Sequence, residues 1–180
     1  MFRRDAIVNI MKDISDELIV CNIGVPSKEL HDVKDRNENF YMIGSMGLAS
    51  SIGLGLAAAI KDRNIVVIDG DGSVLMNLGS LVTVFAQNPK NLTWIVINNG
   101  AYGSTGNQDT YAQKVDILEM AKGVGFEDAH NYEDINLKEI LKNEKCSFIN
   151  YPVDAGNSAA PNIELTPEEI KERFMNVIKK

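Results

Sequence analysis

Two short runs carry side chains that could hold a metal ion and an anion together. Asp69-Gly70-Asp71-Gly72-Ser73 follows the apolar run Ile65-Val66-Val67-Ile68, and Asn98-Asn99-Gly100-Ala101-Tyr102-Gly103 follows Trp94-Ile95-Val96-Ile97. The Asp71 carboxylate, the Asn99 amide oxygen and a nearby backbone carbonyl are hard oxygen donors. Such a partial shell suits Mg2+ and leaves positions for phosphate and water. Gly70 and Gly72 let the backbone approach a phosphate closely, and a helix starting near Val74 would aim its free N–H groups and positive dipole end at that anion. Each run alone would be an ordinary tight turn. However, 25 residues separate Gly72 from Asn98, room for the helix and strand of a right-handed crossover. That crossover would bring Asp71 and Asn99 to one edge of a parallel sheet.

The elements that must position these runs are legible as apolar stretches of strand length. Leu18–Cys21, Phe40–Ile43, Ile65–Ile68, Trp94–Ile97 and Phe148–Tyr151 read as strands, four of them apolar throughout, as in a parallel sheet covered on both faces. Helical spacing appears over Asp5–Ile14, Leu48–Ile60, Val74–Ala86, Val115–Lys122 and Leu137–Lys142. A last helix opens with Thr166 as N-cap, Pro167 in its first turn and Glu169 completing a capping box, with Ile170, Phe174 and Ile178 as its apolar face. The expected architecture is α/β, a doubly wound parallel sheet with helices on both faces, formed by residues 1–180 as one domain. Asp154–Pro161 reads as an extended connector.

Composition narrows the function classes. Hydrophobic residues make up 44% and charged residues 24% of the 180 residues, the balance of a folded globular chain. Lys and Arg total 18 against 25 Asp and Glu, a net charge of −7, which argues against nucleic acid or an anionic membrane as partner. The longest weakly polar stretch, Met46–Ile60, is Gly-rich and shorter than the roughly 20 residues of a bilayer span. The N-terminus lacks a signal-peptide core. Cys21 and Cys146 sit in apolar runs and read as reduced core thiols, which points to the cytoplasm.

With Gly-Asp-Gly, this gap and Asn-Asn in place, the chain resembles the diphosphate-binding domain of thiamine-diphosphate enzymes over nearly its whole length. The resemblance implies thiamine diphosphate and Mg2+ as cofactors, with Asp71, Asn99 and the Ala101 carbonyl as metal ligands. It implies that Gly70, Gly72 and Ser73 bind the diphosphate, with Ser45, Tyr102 and Gly103 also around the cofactor. Gly24, Val25 and Ser27, in the loop after the first strand, are weaker diphosphate contacts; Ser27 could equally cap the helix that follows. In Gly44-Ser45-Met46-Gly47, Met46 takes the place of the aliphatic wedge between the cofactor's two rings. The Gly44 carbonyl would accept a hydrogen bond from the aminopyrimidine. That folded cofactor shape is pre-organisation for proton transfer.

The family also needs a Glu beside the aminopyrimidine, carried on a pyrimidine-binding domain. The expectation is therefore a separate pyrimidine-domain (alpha) subunit that brings this Glu. Asn98–Gln108, Ser27-Lys28-Glu29-Leu30 and the tail Gly156-Asn157, Ala160-Pro161 and Glu168–Phe174 are similar to the sulfopyruvate and phosphonopyruvate decarboxylases. The split arrangement points to the sulfopyruvate branch and so to coenzyme M biosynthesis, with a small anionic 2-oxoacid as substrate. Thr105, Asn107, Gln108 and Lys28 are then the candidate substrate contacts. Tyr102-Gly103-Ser104-Thr105-Gly106 also resembles 2-oxoacid:ferredoxin oxidoreductases, but two isolated cysteines cannot ligate an iron–sulfur cluster. A non-catalytic cofactor-binding domain would carry the same loops.

Three other signals have plainer readings. Gly53-Leu54-Gly55 lies within helical spacing and suits close helix–sheet packing better than dinucleotide binding. Asn91-Leu92-Thr93 opens a buried strand. His31 and His130 lack triad or zinc-ligand spacing.

Overall fold

A computed structural model describes residues 1–179. The strands are β1 (Leu18–Cys21), β2 (Asn39–Tyr41), β3 (Ile65–Gly70), β4 (Leu92–Asn98), the short pair β5 (Ala101–Tyr102) and β6 (Gln108–Asp109), β7 (Asp128–Asn131) and β8 (Ser147–Pro152). The helices are α1 (Arg3–Asp13), α2 (Val25–Lys34), α3 (Ala49–Ala59), α4 (Asp71–Met76), α5 (Gly79–Gln87), α6 (Ile117–Val124), α7 (Leu137–Ile140) and α8 (Pro167–Ile178). Six strands form one all-parallel sheet in the order β2-β1-β3-β4-β8-β7, and β5 and β6 form an antiparallel pair apart from it.

The apolar strands are buried on both faces because alternate side chains enter different cores. Leu18, Val20, Val67, Trp94, Val96 and Phe148 pack on the side of α3, α5 and α6. Ile19, Cys21, Val66, Ile68, Ile95 and Ile149 pack on the side of α1 and α2. Trp94 meets Phe148 edge-on at 5.4 Å between ring centroids, an arrangement aromatic pairs favour. No helix among the described residues is long and apolar enough to cross a membrane.

Several boundaries differ from the sequence expectation, each for a local reason. β2 stops at Tyr41; Met42 still donates to the Cys21 carbonyl, but Ile43 leaves the sheet edge and is 67% exposed. The helix expected over Val74–Ala86 begins at Asp71, so the Gly-Asp-Gly run is itself the first turn. It breaks at Asn77, whose side chain donates to the distant Gly47 carbonyl at 3.0 Å. Asp116 caps α6 by accepting from the Glu119 N–H, which sets that helix two residues later than the spacing suggested. β7 has no apolar run to announce it. On α8, Ile170 and Phe174 are buried as expected, whereas Ile178 is only half-buried. The capping box at its start is present, so Thr166→Ala is expected to cost about 1 kcal/mol of stability, read from the midpoint of urea unfolding.

Candidate active site

The strand order reverses between β1 and β3, since β2 lies on one side of β1 and β3 onward on the other. Open parallel sheets bind ligands beyond the carboxyl ends of the strands at such a point. A cleft lies there, lined from β1 by Asn22, Ile23, Val25 and Pro26, from β3 by Gly70, Asp71, Gly72 and Ser73, and from β4 by Ile97 and Asn99. Met46, Ala101, Tyr102, Gly103, Ser104 and Arg3 complete its wall.

The two runs singled out in the sequence meet in this cleft. β3 and β4 are paired neighbours with Gly70 opposite Ile97, so both loops leave the same sheet edge. Thr110 Oγ1 donates to the buried Asp71 carboxylate, and Asn99, also buried, stands in the same cleft wall. Burial nevertheless raises the Asp71 carboxyl above its ordinary value. The Gly72 backbone sits directly under the Tyr102 ring and 3.1 Å, measured from where a Cβ would be, from Thr110 Cγ2. A larger residue there would displace both.

Ser73 joins the β3 loop to a third. Asp69, before it, is buried, and burial pushes its carboxyl up to about 6 despite hydrogen bonds from the Gly70 N–H and Trp94 Nε1. Ser73 Oγ accepts from the Gly47 N–H at 3.0 Å. With Asn77 on its carbonyl, Gly47 is held at both polar groups, in a left-handed conformation with φ +92. These bonds fix the loop that places Met46, half-buried, in the cleft wall.

Other sequence candidates stand elsewhere. Gly44 and Ser45 are exposed beside the cleft and line a neighbouring apolar groove with Ile43 and Ile170. Gly24 is the N-cap of α2 with φ +80, so Ser27 is not a cap; its hydroxyl donates to the Asn22 carbonyl at 2.8 Å and is absent from the cleft wall. Lys28 is also outside that wall. Thr105 and Gln108 bond each other, Oγ1 to Oε1 at 2.8 Å and Nε2 to the Thr105 carbonyl at 3.1 Å, on an exposed turn between β5 and β6 that also carries Asn107. Asp154–Pro161 is more than a connector: Asn157 Nδ2 donates to the Gly103 carbonyl at 2.6 Å. Arg3 and Thr110 were missed. Arg3 precedes the first strand, outside every strand-end run, and Thr110 follows the run Asn98–Gln108 with no signal of its own.

The residues present fit a bound metal and diphosphate. Among the described residues, Asn22 Oδ1 and Asn99 Nδ2 are buried polar atoms without a partner, and both residues line the cleft. Such an atom costs about 1–3 kcal/mol when left unpaired, so the cleft is one that a polar ligand completes. The available donors, a carboxylate, an amide and backbone carbonyls, are the oxygen ligands that Mg2+ takes. The first-turn N–H groups of α4 are on hand for an anion.

Residues 26–151 match the family model described as thiamine pyrophosphate enzyme, C-terminal TPP binding domain. The chain is 50% identical to the sulfopyruvate decarboxylase subunit beta of Methanocaldococcus jannaschii, over 99% of this chain and 97% of that one. It is 43% identical to a sulfopyruvate decarboxylase of Methanosarcina acetivorans, over 99% of this chain but 47% of the longer relative. Among solved structures, the thiamine diphosphate-dependent 4-hydroxybenzoylformate decarboxylase of Rhodococcus jostii RHA1 superposes with a TM-score of 0.70. The superposition is at 18% identity and covers 88% of this chain and 33% of that one.

Proposed function

Since the chain belongs to the sulfopyruvate decarboxylase β-subunit family of thiamine pyrophosphate-dependent decarboxylases, we propose that its cleft holds the diphosphate end of the cofactor and one Mg2+. The reaction we assign is the non-oxidative decarboxylation of 3-sulfopyruvate to sulfoacetaldehyde and CO2, in coenzyme M biosynthesis. The observation that supports this reading best is that Asp71 and Asn99 line one cleft beside the point where the strand order reverses.

In this reading Asp71, Asn99 and the Ala101 carbonyl hold the ion. Gly70, Gly72 and Ser73 present backbone N–H groups to the diphosphate. Thr110 positions the Asp71 carboxylate, and the hydrogen bond from the Gly47 N–H to Ser73 Oγ ties the diphosphate turn to the loop of Met46. Met46 supports the folded cofactor, while the Gly44 carbonyl, beside the cleft, is the acceptor for its amino group. When bound, thiamine diphosphate supplies the centre that accepts the electron pair left by CO2. Residues 1–180 act as the diphosphate-binding domain, and a partner alpha subunit brings the pyrimidine-binding domain and its Glu. The relative whose length is about twice that of this chain is consistent with both halves on one polypeptide.

A proton on Asp71 competes with the metal. Because burial raises this carboxyl, Mg2+-dependent cofactor affinity is expected to fall as pH drops through the acidic range and to level off once Asp71 is ionised. Calorimetric titration at a series of pH values reads this; a flat profile would remove Asp71 from the metal shell. The reaction itself is tested by mixing the chain with its partner subunit, Mg2+ and thiamine diphosphate, then measuring CO2 from 3-sulfopyruvate, phosphonopyruvate and pyruvate. The expected result is release from 3-sulfopyruvate above the others. Bound cofactor with no release from any of them would favour a binding module, and ferredoxin reduction with coenzyme A would favour an oxidoreductase.

A further inference from the structure

Arg3 is the only cation among the residues lining the cleft, and it comes from a helix with no recognisable motif. Two residues from the runs shared with the sulfopyruvate and phosphonopyruvate decarboxylases, Glu29 and Asn157, meet around it. Arg3 Nε donates to Glu29 Oε2 at 2.7 Å, and Nη2 donates to Glu29 Oε1 at 3.4 Å and to Asn157 Oδ1 at 2.8 Å. Glu29 Oε1 also accepts from the Ser158 N–H at 3.2 Å. Arg3 is 5% exposed and Glu29 1%. A guanidinium has five N–H donors, and these contacts use three. The two on Nη1 have no partner among the described residues. Nη1 lies against Gly103 at the cleft wall, 3.2 Å from where a Cβ on that glycine would be.

A buried Arg–Glu pair is costly to desolvate and adds little stability over an apolar pair. This one fixes the guanidinium through Nε and Nη2 and leaves the Nη1 edge free beside Gly103, in a cleft whose wall also holds Gly72 and Ser73. We infer that Arg3 Nη1 donates to the terminal phosphoryl group of the cofactor's diphosphate, with Glu29 and Asn157 as positioning residues. The planar N–H edge and fixed charge suit a tetrahedral oxyanion. The inference rests on the proposed function, and it names a cation in the cleft wall, where Lys28 does not stand. A sulfonate on the substrate has the same chemistry, so the test separates the two.

The test is calorimetry on the complex with the partner subunit and Mg2+, titrating thiamine diphosphate and thiamine monophosphate. Arg3→Met alone would leave Glu29 buried and unpaired, so Arg3→Met/Glu29→Met is used with it, and thermal unfolding without ligand checks that each variant is folded. The expected result is a roughly 10- to 100-fold loss of diphosphate affinity, the range for a hydrogen bond to a charged group, with little change for the monophosphate. Arg3→Lys should recover part of the loss. Equal loss for both ligands would mark a purely structural pair and overturn the inference, as would unchanged diphosphate affinity. A raised KM for 3-sulfopyruvate with unchanged diphosphate affinity would overturn it too, by moving the contact to the substrate. Absence of diphosphate binding by the unaltered complex would instead sink the functional reading on which it rests.

Discussion

Asp71→Ala is expected to abolish Mg2+-dependent binding of thiamine diphosphate, weakening it on the order of 100-fold or more, as loss of one member of a buried charge pair does. The carboxylate is the one charged group among the proposed ligands. Its orientation is held by the Thr110 hydroxyl, which donates to it. Removing it should not unfold the chain, because burial already disfavours the ionised form. Calorimetry should therefore show lost affinity while the ligand-free melting temperature holds or rises. Asp71→Asn keeps one oxygen and should fall between the two. Unchanged affinity in Asp71→Ala would remove the metal assignment and the functional reading built on it.

Gly53→Val is expected to be the most damaging single change to the fold. Gly53 faces β3 from α3, and a Cβ there would overlap Val67 Cγ2 and reach 3.5 Å from Leu92 Cδ1. Val67 and Leu92 are fully buried in central strands and cannot yield without moving the sheet. Overpacking of this kind costs about 3 kcal/mol, and more where the backbone must move. Gly55 is the matched control, two residues along the same helix and exposed, with open space where its Cβ would be. Gly55→Ala should stabilise by roughly 0.5–1 kcal/mol through helix propensity alone. Urea unfolding of the two variants should shift in opposite directions. Similar shifts would mean that α3 does not seat on β3 through Gly53.

The central sheet was legible because its strands are buried on both faces, and continuous apolar runs leave few alternatives. β7 was not, because Asp128-Ala129-His130-Asn131 puts one apolar residue, Ala129, into the core and is otherwise polar. Asp128 accepts from Ser147 and from Asn143 Nδ2 at 3.0 Å, and lies 3.1 Å from His130 Nε2. The break between α4 and α5 was equally hidden, since the apolar spacing continues through it. What interrupts the helix is the bond from Asn77 to Gly47, a partner 30 residues away. The same distinction runs through the site. The loops after β1, β3 and β4 could be found because strand ends announce them. Arg3 and Thr110 reach the cleft only through tertiary packing. The turn residues Thr105 and Gln108 looked free for substrate in the sequence but spend their polar atoms on each other.

Both native thiols are buried, and burial pushes each up to about 12. Neither will therefore react readily with maleimide reagents in the folded chain, since the thiolate is the reacting species. Ser104, exposed on the turn that borders the cleft, then becomes a place for a single reporter. A fluorophore attached to Ser104→Cys would label that position alone without first stripping the chain of its own cysteines, and its emission would follow the turn as ligands arrive.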